Sequence, residues 1–239
     1  MFLTEVFKEK PQKTVAFAFG RMNPPTLGHA QLINTTARVS AGGDYYIFLS
    51  HTQDSKKNPL DYNTKVDFVK AMFPRHAEHV SYGGLRTIME IMEFLYHHNY
   101  TDVTYVCGND RLPAFTELLN KYNGVEGGKT YYKFNTIKVV SSGPRDPDDD
   151  GVAGVSASAA RSAAQEGNIE EFKRITGAGK YTKQLYRAVR KGMNIFNEDA
   201  SGYIPKNKRE AKDPRWSNAL SVDVTPETPA KNARALRLI

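Results

Sequence analysis

The 239-residue chain is long enough for one α/β domain with an appendage or for two small domains, and its 40% hydrophobic and 25% charged content is that of a soluble globular protein. A single cysteine, Cys107, excludes an intrachain disulfide and a thiolate metal cluster, and no apolar run approaches the length of a membrane span. The N-terminal stretch MFLTEVFKEKPQ lacks the basic start and long apolar core of a signal peptide, so a reducing cytoplasm without membrane attachment is the expected setting. The formal charge of +7 is uneven, because residues 183–239 carry 12 Lys or Arg against 6 Asp or Glu. Such a basic end suits nucleic acid, polyphosphate or an acidic protein, or is a solvated surface.

After a short lead-in, residues 15–19 (VAFAF) are apolar at every position, as a strand buried on both faces of a parallel sheet requires. Gly20 ends the run and Pro24-Pro25 impose a turn. From Gly28 onward Leu32, Ile33, Thr36 and Ala37 share a helical face. Thr26 and His29 thus fall at a loop–helix junction, where free backbone N–H groups and the positive end of the helix dipole suit a phosphate. Residues 45–50 (YYIFLS) read as a second buried strand followed by the polar stretch 51–57, on the side where open parallel sheets bind ligands. Asn58-Pro59 breaks the chain, and Val66, Phe68, Val69 and Met72 mark a helix ended by Pro74.

A short third strand is expected at 79–82, a helix at 85–98, a fourth strand at 102–107 leading into Gly108-Asn109-Asp110, a helix at 112–122 and a fifth strand at 136–140. His97 and His98 suit the negative pole of their helix rather than a metal. Residues 141–154 read as an irregular loop whose acidic run, Asp146, Asp148, Asp149 and Asp150, lacks the spacing of a calcium-binding loop. Arg145 in that loop can fold over a substrate. Ser156, Ser158 and Arg161 then open a helix, and a hydroxyl with a guanidinium on one side of its first turn can hold phosphate oxygens. Two more helices are expected at 168–177 and 180–196, beyond which prolines and clustered charge change the character of the chain.

These residues carry a resemblance. GRMNPPTLGH resembles the signature of the nucleotidylyltransferase superfamily, a Gly-rich turn before (H/T)xGH, through Gly20, Arg21, Asn23, Pro24, Thr26, Gly28 and His29. The Thr form is similar to that of phosphopantetheine adenylyltransferases and the Gly-Arg opening to that of nicotinamide-mononucleotide adenylyltransferases. KKNPLDYNTKVDFVKAMFP resembles the second landmark, with Lys57 before the Pro turn and Lys65 where the family more often has Arg, which implies that Lys57 reaches a phosphate and Lys65 supports it. Gly108-Asn109-Asp110 resembles the GxD segment, and residues 155–161 (VSASAAR) resemble ISxTxxR, with Val for Ile and Ser for Thr. Four landmarks in family order across residues 14–161 imply a Rossmann-like, doubly wound, parallel five-stranded sheet with helices on both faces. The corresponding domain covers residues 1–196 with its C-terminal helices, and a basic extension covers 197–239. Singly, each landmark has a structural alternative: His29 or Asp110 as a helix cap, Ser156 as an N-cap beside an exposed Arg161, the lysines as surface charge.

The resemblance implies an enzyme that transfers a nucleoside monophosphate from a nucleoside triphosphate to a phosphorylated small-molecule acceptor, with pyrophosphate released and Mg²⁺ accompanying the triphosphate. His29 would donate to an α-phosphate oxygen, Thr26 would supply the hydrogen bond that the first His gives in other members, and Lys57 with Arg21 would balance phosphate charge. Ser156, Ser158 and Arg161 would hold the β- and γ-groups, and Gly20, Asn23, Gly28, Gly108 and Asp110 would complete the nucleotide site, with no metal-ligating residue required. The TxGH and Gly-Arg features favour ATP over CTP; the acceptor and the oligomeric state are not specified. The extension and RDPDDDGVAGVSASAAR resemble stretches on related proteins of tailed bacteriophages, which would place the chain in a host cytoplasm or a virion. A second class stays open: a non-catalytic virion or nucleic-acid-binding protein that keeps the fold and works through its basic tail. A hydrolase at the same phosphate site is a third reading, disfavoured because no general base or metal cluster accompanies the motif.

Overall fold

β1 (Thr14–Gly20) occupies the middle of the sheet because neither of its faces is polar. In the computed structural model, which describes residues 12–80, 83–143 and 156–195, β2 (Asp44–Leu49) and β3 (Asp102–Cys107) flank it, both parallel, and β4 (Thr136–Ser141) runs parallel to β3. The order β2-β1-β3-β4 is that of an open α/β sheet whose strand order reverses between β1 and β3. All described residues belong to one compact unit, Met1–Ile195.

Period-2 alternation along β1 assigns its two faces to two cores. Val15 and Phe17 join Phe48, Val103 and Tyr105 against α3 (Ile88–His97) and α4 (Leu112–Lys121), through Ile91, Met92, Leu95 and Leu119. Ala18 joins Ile47 and Leu49 on the opposite face, against Ile33 of α1 (Leu27–Val39) and Val66 and Val69 of α2 (Tyr62–Met72). Helices therefore cover both faces, giving a three-layer, Rossmann-like α/β architecture. A third cluster unites α5 (Ala157–Gln165), α6 (Ile169–Thr176) and α7 (Thr182–Gly192) through Ala160, Ala164, Phe172, Ile175, Leu185 and Val189, and it reaches Leu60 ahead of α2.

The sheet of the described residues has four strands rather than the expected five. The segment expected as a third strand contributes only Val80, in a single parallel bridge to Ile47; residues 81–82 lie outside the description. The cause is local. Pro74–His79 coils into a 3-10 helix, and His79 stacks on Tyr45 with ring centroids 3.6 Å apart while its Nδ1 takes the Tyr45 carbonyl at 3.1 Å. A side chain thus occupies a β2 acceptor that a neighbouring strand would use.

Smaller differences are terminal. α3 starts at Ile88, because Thr87 and Glu90 form a reciprocal capping box. The helix expected over 180–196 resolves into a 3-10 helix, Gly179–Tyr181, and α7. His98 bonds the Phe94 carbonyl at 2.8 Å through Nδ1, in keeping with its place at a helix end. The lead-in, the acidic run with Arg145, and the extension 197–239 lie outside the described residues. Among those described, no helix is long and apolar enough to cross a membrane.

Candidate functional site

Where the strand order reverses, between β1 and β3, the loop from β1 into α1 leaves the carboxyl edge of the sheet. Thr26 is the N-cap of α1, extended at φ −141°, and His29 is the third residue of the helix. The Thr26 N–H donates to His29 Nδ1 at 3.0 Å, and Thr26 Oγ1 lies 2.9 Å from the same nitrogen. A main-chain N–H can only donate, so Nδ1 carries the lone pair and the ring proton resides on Nε2. His29 therefore stands where a capping box usually has Glu. Both residues are buried, Thr26 at 1% and His29 at 7% exposure. The result is a neutral imidazole, oriented by main chain, with its donor nitrogen at the positive end of α1. Capping employs Nδ1, so the structural and functional readings of His29 are compatible.

Asn23 does not offer its amide to a ligand. Its Oδ1 accepts from the Leu60 N–H and its Nδ2 donates to the Leu60 carbonyl, both at 2.9 Å, pinning the β1–α1 loop to the segment ahead of α2. Its own carbonyl accepts from Arg161 Nη1 at 2.8 Å, which brings α5 to the same loop. Burial holds the Arg161 guanidinium below its ordinary pKa, Arg21 lowers it further, and Asp54 opposes the shift. Arg21, Arg161 and Asp54, from three separate loops and helices, thus share one electrostatic neighbourhood. At the start of α5, Ser156 Oγ accepts the Ala159 N–H at 3.0 Å as N-cap, and Ser158 is exposed in the first turn.

Lys57 is exposed at the tip of a turn. Asp54 and Asn58 exchange main-chain bonds at 2.9 and 3.2 Å, and the Asp54 carboxylate accepts the N–H groups of Lys56 and Lys57 and the Asn58 side-chain amide. These donors, Lys57 first, hold Asp54 down at about pKa 2. In the sequence Asp54 is one polar residue among several in the stretch 51–57. The available signal was Asp followed by turn residues and by Asn four positions later, the pattern of a side chain that folds its own loop. Lys65 differs from expectation: it is fully buried, and its Nζ donates to the Ser50 carbonyl at the end of β2 instead of facing a phosphate. Burial pushes its pKa down to about 8 against the pull of Asp61.

At the end of β3, Gly108 adopts φ −66° and ψ 150°, a conformation open to any residue, so the backbone itself does not demand glycine there. Asp110 caps nothing; α4 has Arg111 at its N-cap position without a side-chain cap, and Asp110 meets Arg111 at 3.4 Å in an exposed pair. Gly20 closes β1, its carbonyl accepting the Ser50 N–H at 3.0 Å, and Gly28 is half-buried in the first turn of α1. The fold thus gathers Thr26, His29, Arg21, Asn23 and Arg161 about one loop, and sets Gly108 and Asp110 at the end of the strand beside it. Among the described residues no group of three or more His, Cys, Asp or Glu side chains forms a metal cage.

No family model matches the chain, and no curated protein does. Among solved structures it is similar to a bifunctional NMN adenylyltransferase/ADP ribose pyrophosphatase from Francisella tularensis, at 13% identity and a TM-score of 0.45, over 74% of this chain and 52% of that one. The chain therefore spans about half the length of that structure, and a likeness of this degree transfers no residue roles.

Proposed function

We propose that the chain is a nucleotidyltransferase: an acceptor phosphate attacks the α-phosphorus of a nucleoside triphosphate, the α–β bridging bond breaks, and pyrophosphate leaves. The observation that carries this reading is the Thr26–His29 unit, a main-chain bond that commits His29 Nε2 to donate at a helix N-terminus on the carboxyl edge of a parallel sheet. Transfer of this kind needs positioning and charge neutralisation rather than a covalent intermediate. His29 would donate to an α-phosphate oxygen as negative charge develops there, with Thr26 orienting it. Arg21 and Arg161, two cations held near each other in the free protein, would gain an anionic partner in the β- and γ-phosphates, with Ser156, Ser158 and the exposed Lys57 assisting. Gly20, Gly28, Gly108 and Asp110 would border the nucleotide, and Asn23 would position the loop. The donor set is cationic and hydroxylic, which fits a Mg²⁺ ion carried in by phosphate oxygens, where it would neutralise charge, rather than a cage of protein carboxylates. ATP is favoured over CTP by the TxGH and Gly-Arg features.

The test is calorimetric titration with non-hydrolysable ATP and CTP analogues plus Mg²⁺, on wild type and Arg161→Ala. Micromolar binding of one nucleotide, weakened at least tenfold in the variant, supports the phosphate site and identifies the base. Absence of binding by either nucleotide overturns the enzyme reading.

A further inference from the structure

α7 has two opposite lines of side chains with different chemistry. Leu185 and Val189 belong to the C-terminal cluster, and Thr182 and Arg190 are buried as well, Arg190 donating to the Ala164 carbonyl. Lys183, Arg187 and Lys191 lie on the other side at i, i+4 and i+8, and Lys180 precedes them in the adjoining 3-10 helix. All four cations are exposed, and α7 (TKQLYRAVRKG) contains no acidic residue. The ion pairs among the described residues, Arg111 with Asp110 and Arg174 with Glu171, involve none of them. An unbalanced row of this kind repels itself and stays soluble, but gains strongly from a polyanion laid along it.

We propose that this face of α7 docks the phosphate backbone of nucleic acid. The rise of a helix advances each cation about 6 Å along the face, so the row from Lys183 to Lys191 covers about 12 Å. One strand of a duplex presents a phosphate roughly every 3.4 Å of axis, so such a row meets several in succession. The exposed neighbour within the row is Gln184, a further polar contact for backbone oxygens. What the face lacks selects the partner as well. It has no exposed aromatic or aliphatic anchor, which a protein interface would place at its centre and an interfacial membrane helix would insert. Backbone contacts alone give affinity without sequence preference. The surface is separate from the residues assigned to nucleotidyl transfer and stands whether or not that reading holds.

Fluorescence anisotropy of the full-length chain with a mixed-sequence 20-base-pair DNA duplex, over a salt series, tests the proposal. The comparison is between wild type, a variant with Lys180, Lys183, Arg187 and Lys191 all changed to Gln, and a charge-matched control with Lys121, Lys129, Lys133 and Lys138 changed to Gln. Thermal unfolding of each verifies folding. The expected result is at least tenfold weaker binding at low salt in the α7 variant and a fall of about 3.6 in the log–log salt slope, from roughly 0.9 per lost phosphate contact, with the control close to wild type. Equal losses in both variants would reduce the effect to net charge and overturn the proposal. Undiminished binding by the α7 variant would assign any affinity to other residues and overturn it too, as would competition by polyglutamate as effective as that by unlabelled duplex.

Discussion

Arg161 donates from Nη1 to the main-chain oxygen of Asn23 at 2.8 Å, across 138 positions of sequence, and this bond joins α5 to the first loop of the sheet. Asn23 is in turn clamped to Leu60 by two bonds, so hydrogen bonds tie three segments together beside Thr26 and His29. The same guanidinium is disfavoured in its charged form by burial and by Arg21. On the proposed function, a triphosphate bound there would relieve the repulsion between the two cations.

That relation gives two substitutions opposite signs. Arg21→Ala removes the repulsion, so the free protein should gain about 1 °C in Tm, the scale of an exposed charge interaction, while triphosphate affinity falls about tenfold. Arg161→Ala should lower both, because the buried loop loses its donor and Tm drops by a few degrees. Thermal unfolding with and without a non-hydrolysable triphosphate measures each; a lower Tm for both variants would refute mutual repulsion.

His29→Ala should reduce pyrophosphate release by about 10²–10³, the usual worth of one donor to a developing oxyanion. Stability should fall by only about 1 kcal/mol, the scale of a lost helix cap. In the wild type, nitrogen NMR of the ring should show the proton on Nε2, as the Thr26 N–H to Nδ1 bond requires. A ring protonated on Nδ1 would contradict that geometry, and undiminished turnover would remove His29 from the chemistry.

Lys65 makes stability depend on pH in the alkaline range. Its pKa lies at about 8 in the folded chain, below the 10.5 of a free lysine, so between these values the unfolded chain binds more protons. Stability should therefore rise from about pH 8 to about 10.5 on this account, and the contribution is lost as pH falls through 8. Tm measured across that window should show a steeper rise in wild type than in Lys65→Met, which keeps the volume and removes the titration. Parallel curves would locate the dependence elsewhere.

Gly192, the last residue of α7, packs so closely on the main chain of Pro59 that an added Cβ would collide with its carbonyl. Gly192→Ala should destabilise by about 1–3 kcal/mol, as overpacking does, and should loosen the Leu60 clamp on Asn23. Denaturant unfolding measures the first effect and triphosphate affinity the second. A neutral substitution would show that α7 does not buttress this loop.

Much of the fold is written in local pattern. Five apolar residues at 15–19 announce a strand buried on both faces, and the change to helical spacing after Gly28 puts Thr26 and His29 at a helix start. Ser156 was legible as an N-cap for the same reason: capping and periodicity are relations between residues a few positions apart. Failures arise where distant chain segments compete. Residues 79–80 have a strand's composition, yet the His79 ring reached across 34 positions to the Tyr45 carbonyl. Lys65 has a helix-start position suited to phosphate, yet α2 turns it inward to the end of β2. Sequence alone determined the strand–loop–helix unit and the residue types at its junction. Tertiary structure decided that Asn23 serves Leu60 and that Arg161 meets both Asn23 and the field of Arg21. Those outcomes depend on hydrogen-bond partners and charges contributed by other segments, and their proximity exists only once the sheet and both helical layers have assembled.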